Sequence, residues 1–429
     1  MIENTCQITP AERVRGNISL PGDKSISHRA LIFAAIARGK SKICHLNTGV
    51  DVLSTIACLQ KVGVHFQLGR YTVNVKSPGL HGWSGEDRVA LNCGNSGTTT
   101  RLLTGLLAGQ SFESVLYGDE SLSRRPMGRI IEPLTQMNAL FKSTEGHLPL
   151  TIFPSKLKGI RYTLPVASAQ VKSAILLAGL LAEGKTHVTE PVQCRDHTER
   201  MMKMLGIPIF KKKNTWTVHT LKRPVPGFEY NVPADPSSAA FWVAAALLLP
   251  KSRIVLNNVS LNPTRIAFLR LLQKAGADIS CSEETRSYEP YGDIVVKSSE
   301  LQGFSISSRS IPGLIDEIPI LALIATQAKG ITRIRGAREL RVKESDRIAT
   351  TVACLKALGA EIEEYEDGMT IQGPTPLHGG TVKAYMDHRI AMTMAIAGLI
   401  ASDPVNIEDY SVVDISYPDF FSTLEKIRQ

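Results

Sequence analysis

Little in this sequence is aromatic: Phe, Trp and Tyr make up 6% of its 429 residues. Cysteine is sparse and unpaired in pattern. Cys6, Cys44, Cys58, Cys93, Cys194, Cys281 and Cys354 form an odd count with no C-x-x-C spacing, which argues against a zinc site or disulfide framework and for a reducing compartment. No H-x-x-x-H or H-E-x-x-H occurs, so no metal site is expected; no other cofactor is expected either. Apolar runs such as "AAFWVAAALLL" stop at about ten residues, half the ~20 that cross a bilayer, so no membrane partner is expected. The start, "MIENTCQITPAERVRG", holds acids and no apolar core, so no secretory signal is expected and a cytoplasmic location is. A Walker A loop is missing too. Gly16 and Gly22 stand one residue too far apart, and Asp23 separates Gly22 from Lys24.

What is there is ordinary in bulk: 43% hydrophobic, 21% charged, and long enough to predict two domains. The formal net charge of +9 fits a basic surface, a nucleic-acid partner or a strongly anionic small substrate. The one dense cationic run, Lys211 to Lys213, lacks the interleaved aromatics of single-strand binders. The arginines stand instead in short separate motifs, so no nucleic-acid partner is expected.

Those motifs recur. Polar clusters lead into apolar helices at "SISHRALIFAAIARG", "SGTTTRLLTGLLAG", "SAQVKSAILLAGLLAEG", "SSAAFWVAAALLL", "IDEIPILALIATQAKG" and "MDHRIAMTMAIAGLIAS". With starts at Ser27, Ser96, Ser168, Ser237, Asp316 and Asp387 the steps are 69, 72, 69, 79 and 71, which predicts six copies of one unit. A second amphipathic helix follows in each copy and stops at Gly63, Gly206, Gly276, Gly359 or near Asn138, read as C-caps before a strand. The fold class is α/β (α+β), in two similar domains of three copies each. Residues 1–20 plus 235–429 are expected to form the first domain and 21–234 the second. The last copy lacks its final strands, which the N-terminal segment is expected to supply. Hinges are placed near Pro21 and Ala234.

A helix start carries unpaired N–H groups and a positive dipole end. Ser27, Ser96 or Asp316 taken singly is an N-cap. Lys24, Arg29, Arg101 and Arg389 beside such caps oppose the dipole, and an anion would offset them. "SLSRRPMGR" adds Arg124, Arg125 and Arg129, for which a solvated basic turn is the plain reading. "CRDHTER" adds Arg195, equally consistent with a capped, salt-bridged helix. "RVKESDRI", with Arg341, Lys343, Glu344, Asp346 and Arg347, reads by itself as an exposed salt-bridged helix start.

Taken together, "LPGDKSISHRA", "NSGTTTRLL", "SRRPMGR", "SAQVKSA", "CRDHTE", "IDEIP", "RVKESDR" and "DHRIAM" closely resemble, in order from residue 20 to 391, the 5-enolpyruvylshikimate-3-phosphate synthases (3-phosphoshikimate 1-carboxyvinyltransferases). The resemblance implies three βαβαββ-type units per domain and an active site in the interdomain cleft. It implies transfer of the enolpyruvyl group of phosphoenolpyruvate to the 5-hydroxyl of shikimate 3-phosphate with release of phosphate, a step toward chorismate and aromatic amino acids. It also implies a monomer and glyphosate as an inhibitor. Two phosphate monoesters at about −1.5 to −2 each, with two carboxylates, total about −5 to −6. That load matches the cationic helix starts, which are expected to close around the substrate.

Carried over by position, the resemblance gives Lys24 contact with both substrates. Ser25, Arg29, Ser168, Ala169, Gln170, Asp316 and Lys343 would hold shikimate 3-phosphate, with Arg195 a weaker candidate. Asn95 and Gly97 would form the phosphoenolpyruvate turn, and Arg125, Gln170, Arg347 and Arg389 would clamp that substrate. Asp316 would accept the hydroxyl proton. Glu344 and Lys24 are both candidates for moving the proton at the methylene carbon. Ser168-Ala169 and Ile415 in "DISYPDF" resemble the glyphosate-tolerant-type branch, although Gly97, often Ala in tolerant members, is intact. A UDP-N-acetylglucosamine enolpyruvyl transferase is disfavoured, because residues 112 to 129 contain no Cys. A nucleic-acid end-processing enzyme is disfavoured by arginines scattered beside helix starts.

Overall fold

The computed structural model describes residues 4–69, 72–284 and 288–429. The chain divides into two compact units, Gly22–Val232 and Met1–Pro21 with Pro233–Gln429.

Among the described residues, Gly22–Val232 holds seven helices: α1 Lys24–Ile36, α2 Val50–Gln60, α3 Gly97–Leu107, α4 Glu120–Ser123, α5 Gly128–Gln136, α6 Ala169–Ala178 and α7 His197–Met204. Its three sheets share one plan. In one, Arg88–Asn92 pairs parallel with Glu113–Tyr117, which pairs antiparallel with His147–Phe153, and Leu140–Thr144 lies outermost. A parallel pair needs a long crossover, and α3 supplies it. The sheets Glu229–Asn231/Arg38–Cys44/Thr72–Pro78/His65–Leu68 and Arg161–Thr163/Lys185–Thr189/Thr215–His219/Ile209–Lys212 repeat the order. In the first of these, the opening strand comes from residues 229–231, some 190 positions after its partner. Strands such as Thr72–Pro78 alternate buried and exposed residues, so one face meets the helices and the other meets water. Helices α1, α3 and α6 are almost wholly buried, polar residues of their first turns included. A methyl on Gly105 would lie 2.2 Å from Ala174 O, so only glycine lets α3 approach α6 this closely.

The other unit holds α8 Pro236–Leu248, α9 Ala267–Lys274, α10 Ile311–Leu314, α11 Ile318–Gln327, α12 Arg347–Ala357, α13 His388–Ile400 and α14 Phe420–Ile427. Two of its sheets have the same four-strand order and the third has three strands. Arg15–Ile18 pairs parallel with Arg253–Ser260, and Thr5–Ile8 pairs antiparallel with Val405–Glu408. The N-terminal segment thus contributes one strand to each of two sheets. Its first three residues lie outside those described.

Gly63, Gly206, Gly276, Gly359 and Asn138 all have positive φ, from 65° to 107°, and end helices as expected. Three helix starts differ from the sequence reading. α1 begins at Lys24, because the Asp23 carboxylate accepts from Ile26 N, and Ser27 is one turn inside with its hydroxyl accepting from Asn47 N. α8 begins at Pro236, capped by Asp235 and not Ser237. α11 begins at Ile318, so Asp316 lies just before the helix. Pro at the first turn sets both of the latter boundaries. Among the described residues, no helix is long and apolar enough to cross a membrane.

Candidate functional site

In Gly22–Val232 the helix starts are wired to one another. Lys24, the first residue of α1, donates to Asp51 Oδ2 in the first turn of α2 at 3.1 Å. Thr99 Oγ1 in α3 lies 3.4 Å from Asp51 O. Arg101 Nη1 donates to Gln170 Oε1 at 2.8 Å, and Gln170 Nε2 donates to Thr98 Oγ1 at 3.0 Å, joining the starts of α3 and α6. Arg125 Nη2 donates to Asn95 Oδ1 at 2.6 Å, and Asn95 Nδ2 to Asp119 Oδ2 at 2.6 Å. So Asn95, Gly97, Arg125 and Gln170 share one neighbourhood with Arg101. Ser96 and Ser168 cap α3 and α6, and Ala169 opens α6.

Arg29 is buried and leaves the surface pattern entirely. Its Nε donates to Thr198 Oγ1 at 2.7 Å, Nη1 to Ser25 O at 2.9 Å and Nη2 to Ser173 Oγ at 3.0 Å. Beside it Lys172, wholly buried, reaches Glu199 at 2.6 Å and Glu190 at 2.9 Å. Burial by itself would pull the Lys172 pKa down, but Glu199, Cys194 and Glu190 hold it above the ordinary lysine value. Burial pushes the Glu199 carboxyl up despite Lys172. Arg195 lies in the segment just before α7, where Asp196 pairs with Arg200 at 2.8 Å. Arg124 is exposed and pairs with Glu120, as a solvated turn predicts.

In the other unit, Arg347 is the hub. It is fully buried at the first position of α12, where the sequence alone suggested an exposed helix start. Its Nε donates to Asp387 Oδ2 at 2.8 Å, Nη1 to Asp316 Oδ1 at 3.3 Å, and Nη2 to Glu344 Oε2 at 2.6 Å and Asp387 Oδ1 at 3.3 Å. Burial opposes the charge, but Asp387 and Glu344 raise the Arg347 pKa above the ordinary arginine value. Arg389 Nη1 donates to Asp316 O at 2.9 Å and approaches Glu317 at 4.0 Å. The Ser237 hydroxyl donates to Glu317, and Arg265 holds Asp235 at 3.0 Å and Ser237 at 2.9 Å. The starts of α8, α11, α12 and α13 are therefore joined by charge-assisted bonds. Lys343 ends the 3-10 turn Arg338–Val342, one residue before Glu344. Arg341 is the structural member of its motif, bound to Asp346 and Glu364. Ile415 ends the 3-10 turn Tyr410–Ile415.

The sequence reading missed Asp51, Asp119, Lys172, Glu199 and Arg265. Asp51 looks like any acid in a first helical turn, and Lys172 sits at an apolar position of "SAQVKSA". No local pattern distinguishes these from surface residues.

Each unit thus concentrates cationic side chains at joined helix starts, beside carboxylates in both. This arrangement suits compact anions and proton transfer. Residues 8–424 match the family described as EPSP synthase (3-phosphoshikimate 1-carboxyvinyltransferase). The 3-phosphoshikimate 1-carboxyvinyltransferase of Bacillus licheniformis is 48% identical over 420 residues, covering 97% of this chain and 98% of its own. That of Geobacillus kaustophilus is 49% identical over 427 residues, covering 98% and 99%. A solved EPSP synthase from Acinetobacter baumannii superposes with a TM-score of 0.88 at 40% identity, covering 99% and 98%. The enolpyruvyl transferase NikO from Streptomyces tendae, at 17% identity and TM-score 0.77 over 98% and 96%, shares the fold. With cationic helix starts in both units and full-length similarity of this order, the chain belongs to the EPSP synthase (3-phosphoshikimate 1-carboxyvinyltransferase) family.

Proposed function

We propose that the chain is a cytoplasmic transferase that moves the enolpyruvyl group of phosphoenolpyruvate to the 5-hydroxyl of shikimate 3-phosphate, releasing phosphate. The observation that carries this is the pair of cationic helix-start clusters, Lys24–Arg101–Arg125 in one unit and Arg347–Arg389 in the other, in a chain of this family. Ser25, Arg29, Ser168, Ala169, Gln170 and Lys343, with Arg195, hold shikimate 3-phosphate. Asn95, Gly97, Arg125, Arg347 and Arg389 hold phosphoenolpyruvate, and Lys24 touches both. Guanidinium carries five N–H donors. Arg347 uses four on Asp387, Asp316 and Glu344, leaving one on Nη1 for an incoming oxygen.

Asp316, steadied by Arg347 and Arg389, takes the proton of the 5-hydroxyl as its oxygen attacks. Glu344 or Lys24 delivers the proton to the methylene carbon and later removes one. The cations stabilise charge gathering on the carboxylate and on the leaving phosphate. Glyphosate competes as a phosphoenolpyruvate mimic, and inhibition that phosphoenolpyruvate fails to relieve would count against that. The chain hinges near Pro21 and Ala234 when shikimate 3-phosphate binds; an unchanged radius of gyration on adding it would contradict this. The decisive assay is phosphate release from phosphoenolpyruvate. Release that depends on shikimate 3-phosphate supports the reading, and release indifferent to it overturns it.

A further inference from the structure

His28 lies on α1 between Lys24 and Arg29 and is fully buried. Its Nδ1 is 2.6 Å from Thr55 Oγ1 of α2, which is 2.7 Å from Thr99 Oγ1 of α3. The Thr99 hydroxyl donates to Ser96 Oγ at 2.7 Å. All four side chains are buried. The polarity of this chain follows from its far end. Thr99 gives its hydroxyl proton to Ser96, so it accepts from Thr55, and Thr55 in turn accepts from His28 Nδ1–H. Burial, then Lys24 and Arg29, hold the His28 pKa well below 6.5, so the ring is neutral with one N–H. Nε2 has no hydrogen-bond partner among the described residues, which leaves Nδ1 as the protonated nitrogen.

Ser96 stands between Asn95 and Gly97. Its hydroxyl also accepts from Thr99 N at 3.2 Å, and its own N–H donates to Cys93 O at 2.9 Å. Its side chain thus ties the Asn95–Gly97 turn to the first turn of α3, and its backbone ties that turn to Cys93.

We propose that His28 is a positioning residue for the donor substrate: through Thr55 and Thr99 it fixes Ser96, and so sets the Asn95–Gly97 turn that receives phosphoenolpyruvate. This rests on the assignment of that turn made above. His28 touches no substrate, and acts by fixing one hydroxyl orientation along a buried relay, where a broken link leaves an unpaired group.

The experiment measures KM for each substrate, kcat and melting temperature in His28→Phe, Thr55→Val, Ser96→Ala, the double variant Thr55→Val/Ser96→Ala, His28→Asn and Asn95→Ala. Loss of the relay should raise KM for phosphoenolpyruvate roughly tenfold, with KM for shikimate 3-phosphate and kcat within about twofold. His28→Asn places an amide N–H where Nδ1–H was and should restore KM. The double variant should be no worse than either single change, because both cut one chain. Thr55→Val keeps the side-chain shape and serves if His28→Phe fails to fold. Equal rises in both KM values, additive effects, or no rescue by Asn would overturn the relay. If Asn95→Ala leaves the phosphoenolpyruvate KM unchanged, the turn assignment fails. If Asn95→Ala raises it while Thr55→Val does not, the relay alone is wrong.

Discussion

A methyl on Gly97 would come 2.7 Å from Arg101 Nη1 and 3.4 Å from Arg125 Nη1. The Arg101 guanidinium would have to shift while Arg125 would be left in ordinary contact, and both border the turn assigned to phosphoenolpyruvate. Gly97→Ala should therefore raise KM for phosphoenolpyruvate about tenfold, within the range one methyl can command. The melting temperature should hardly move. Steady-state kinetics against each substrate will decide this, and a rise for shikimate 3-phosphate alone would contradict it. His28 makes a pH prediction. Its folded pKa is lowered, so below pH 6.5 the unfolded chain takes up a proton that the native chain refuses. The stability it contributes is present above 6.5 and falls by up to about 1.4 kcal/mol per pH unit below it. Urea unfolding between pH 7.5 and 5.5 should show a steeper loss in the natural chain than in His28→Asn. At this scale the sequence displayed Lys24, Arg101 and Arg389 clearly, since cations beside caps are unusual. It gave no sign that Arg29 and Arg347 would be buried, because burial depends on which helices pack over them.

Among the elements, α6 and α7 are fastened by Lys172, which binds Glu190 and Glu199 with no exposure to water. Removing one member strands buried charge. Lys172→Met should cost about 3–5 kcal/mol, read from denaturant midpoints. The clamp also flanks Ser173 and Thr198, the two hydroxyls that hold Arg29, so a surviving variant should bind shikimate 3-phosphate more weakly. Asp23 gives a smaller test. It supplies the side-chain cap of α1, and Asp23→Ala should lower stability by about 1 kcal/mol in thermal melts. Helix interiors and glycine stops were legible from periodicity and from the left-handed φ that glycine allows. The caps of α1, α8 and α11 were misplaced by one to four residues, because several capping residues stand in a row and only geometry selects among them.

For the whole molecule, chain order and spatial order part company at two points. Gly22–Val232 is continuous and has its own buried core, whereas the other unit needs residues 5–18 to complete two sheets. A fragment of residues 22–232 should melt cooperatively. Residues 233–429 should aggregate by themselves, with two sheet edges open, and should recover when residues 1–21 are joined after Gln429. Circular dichroism melts of the three chains test this, and a folded 233–429 fragment would refute it. The sequence by itself determined the six-fold repeat, the mixed α/β units and the family, because apolar period, glycine stops and motif order are local properties of the chain. Only the tertiary structure decided which strands close each sheet, which arginines lose contact with water and which hydroxyls line up beneath the helix starts. Those depend on contacts between residues tens to hundreds of positions apart, and no local pattern encodes them.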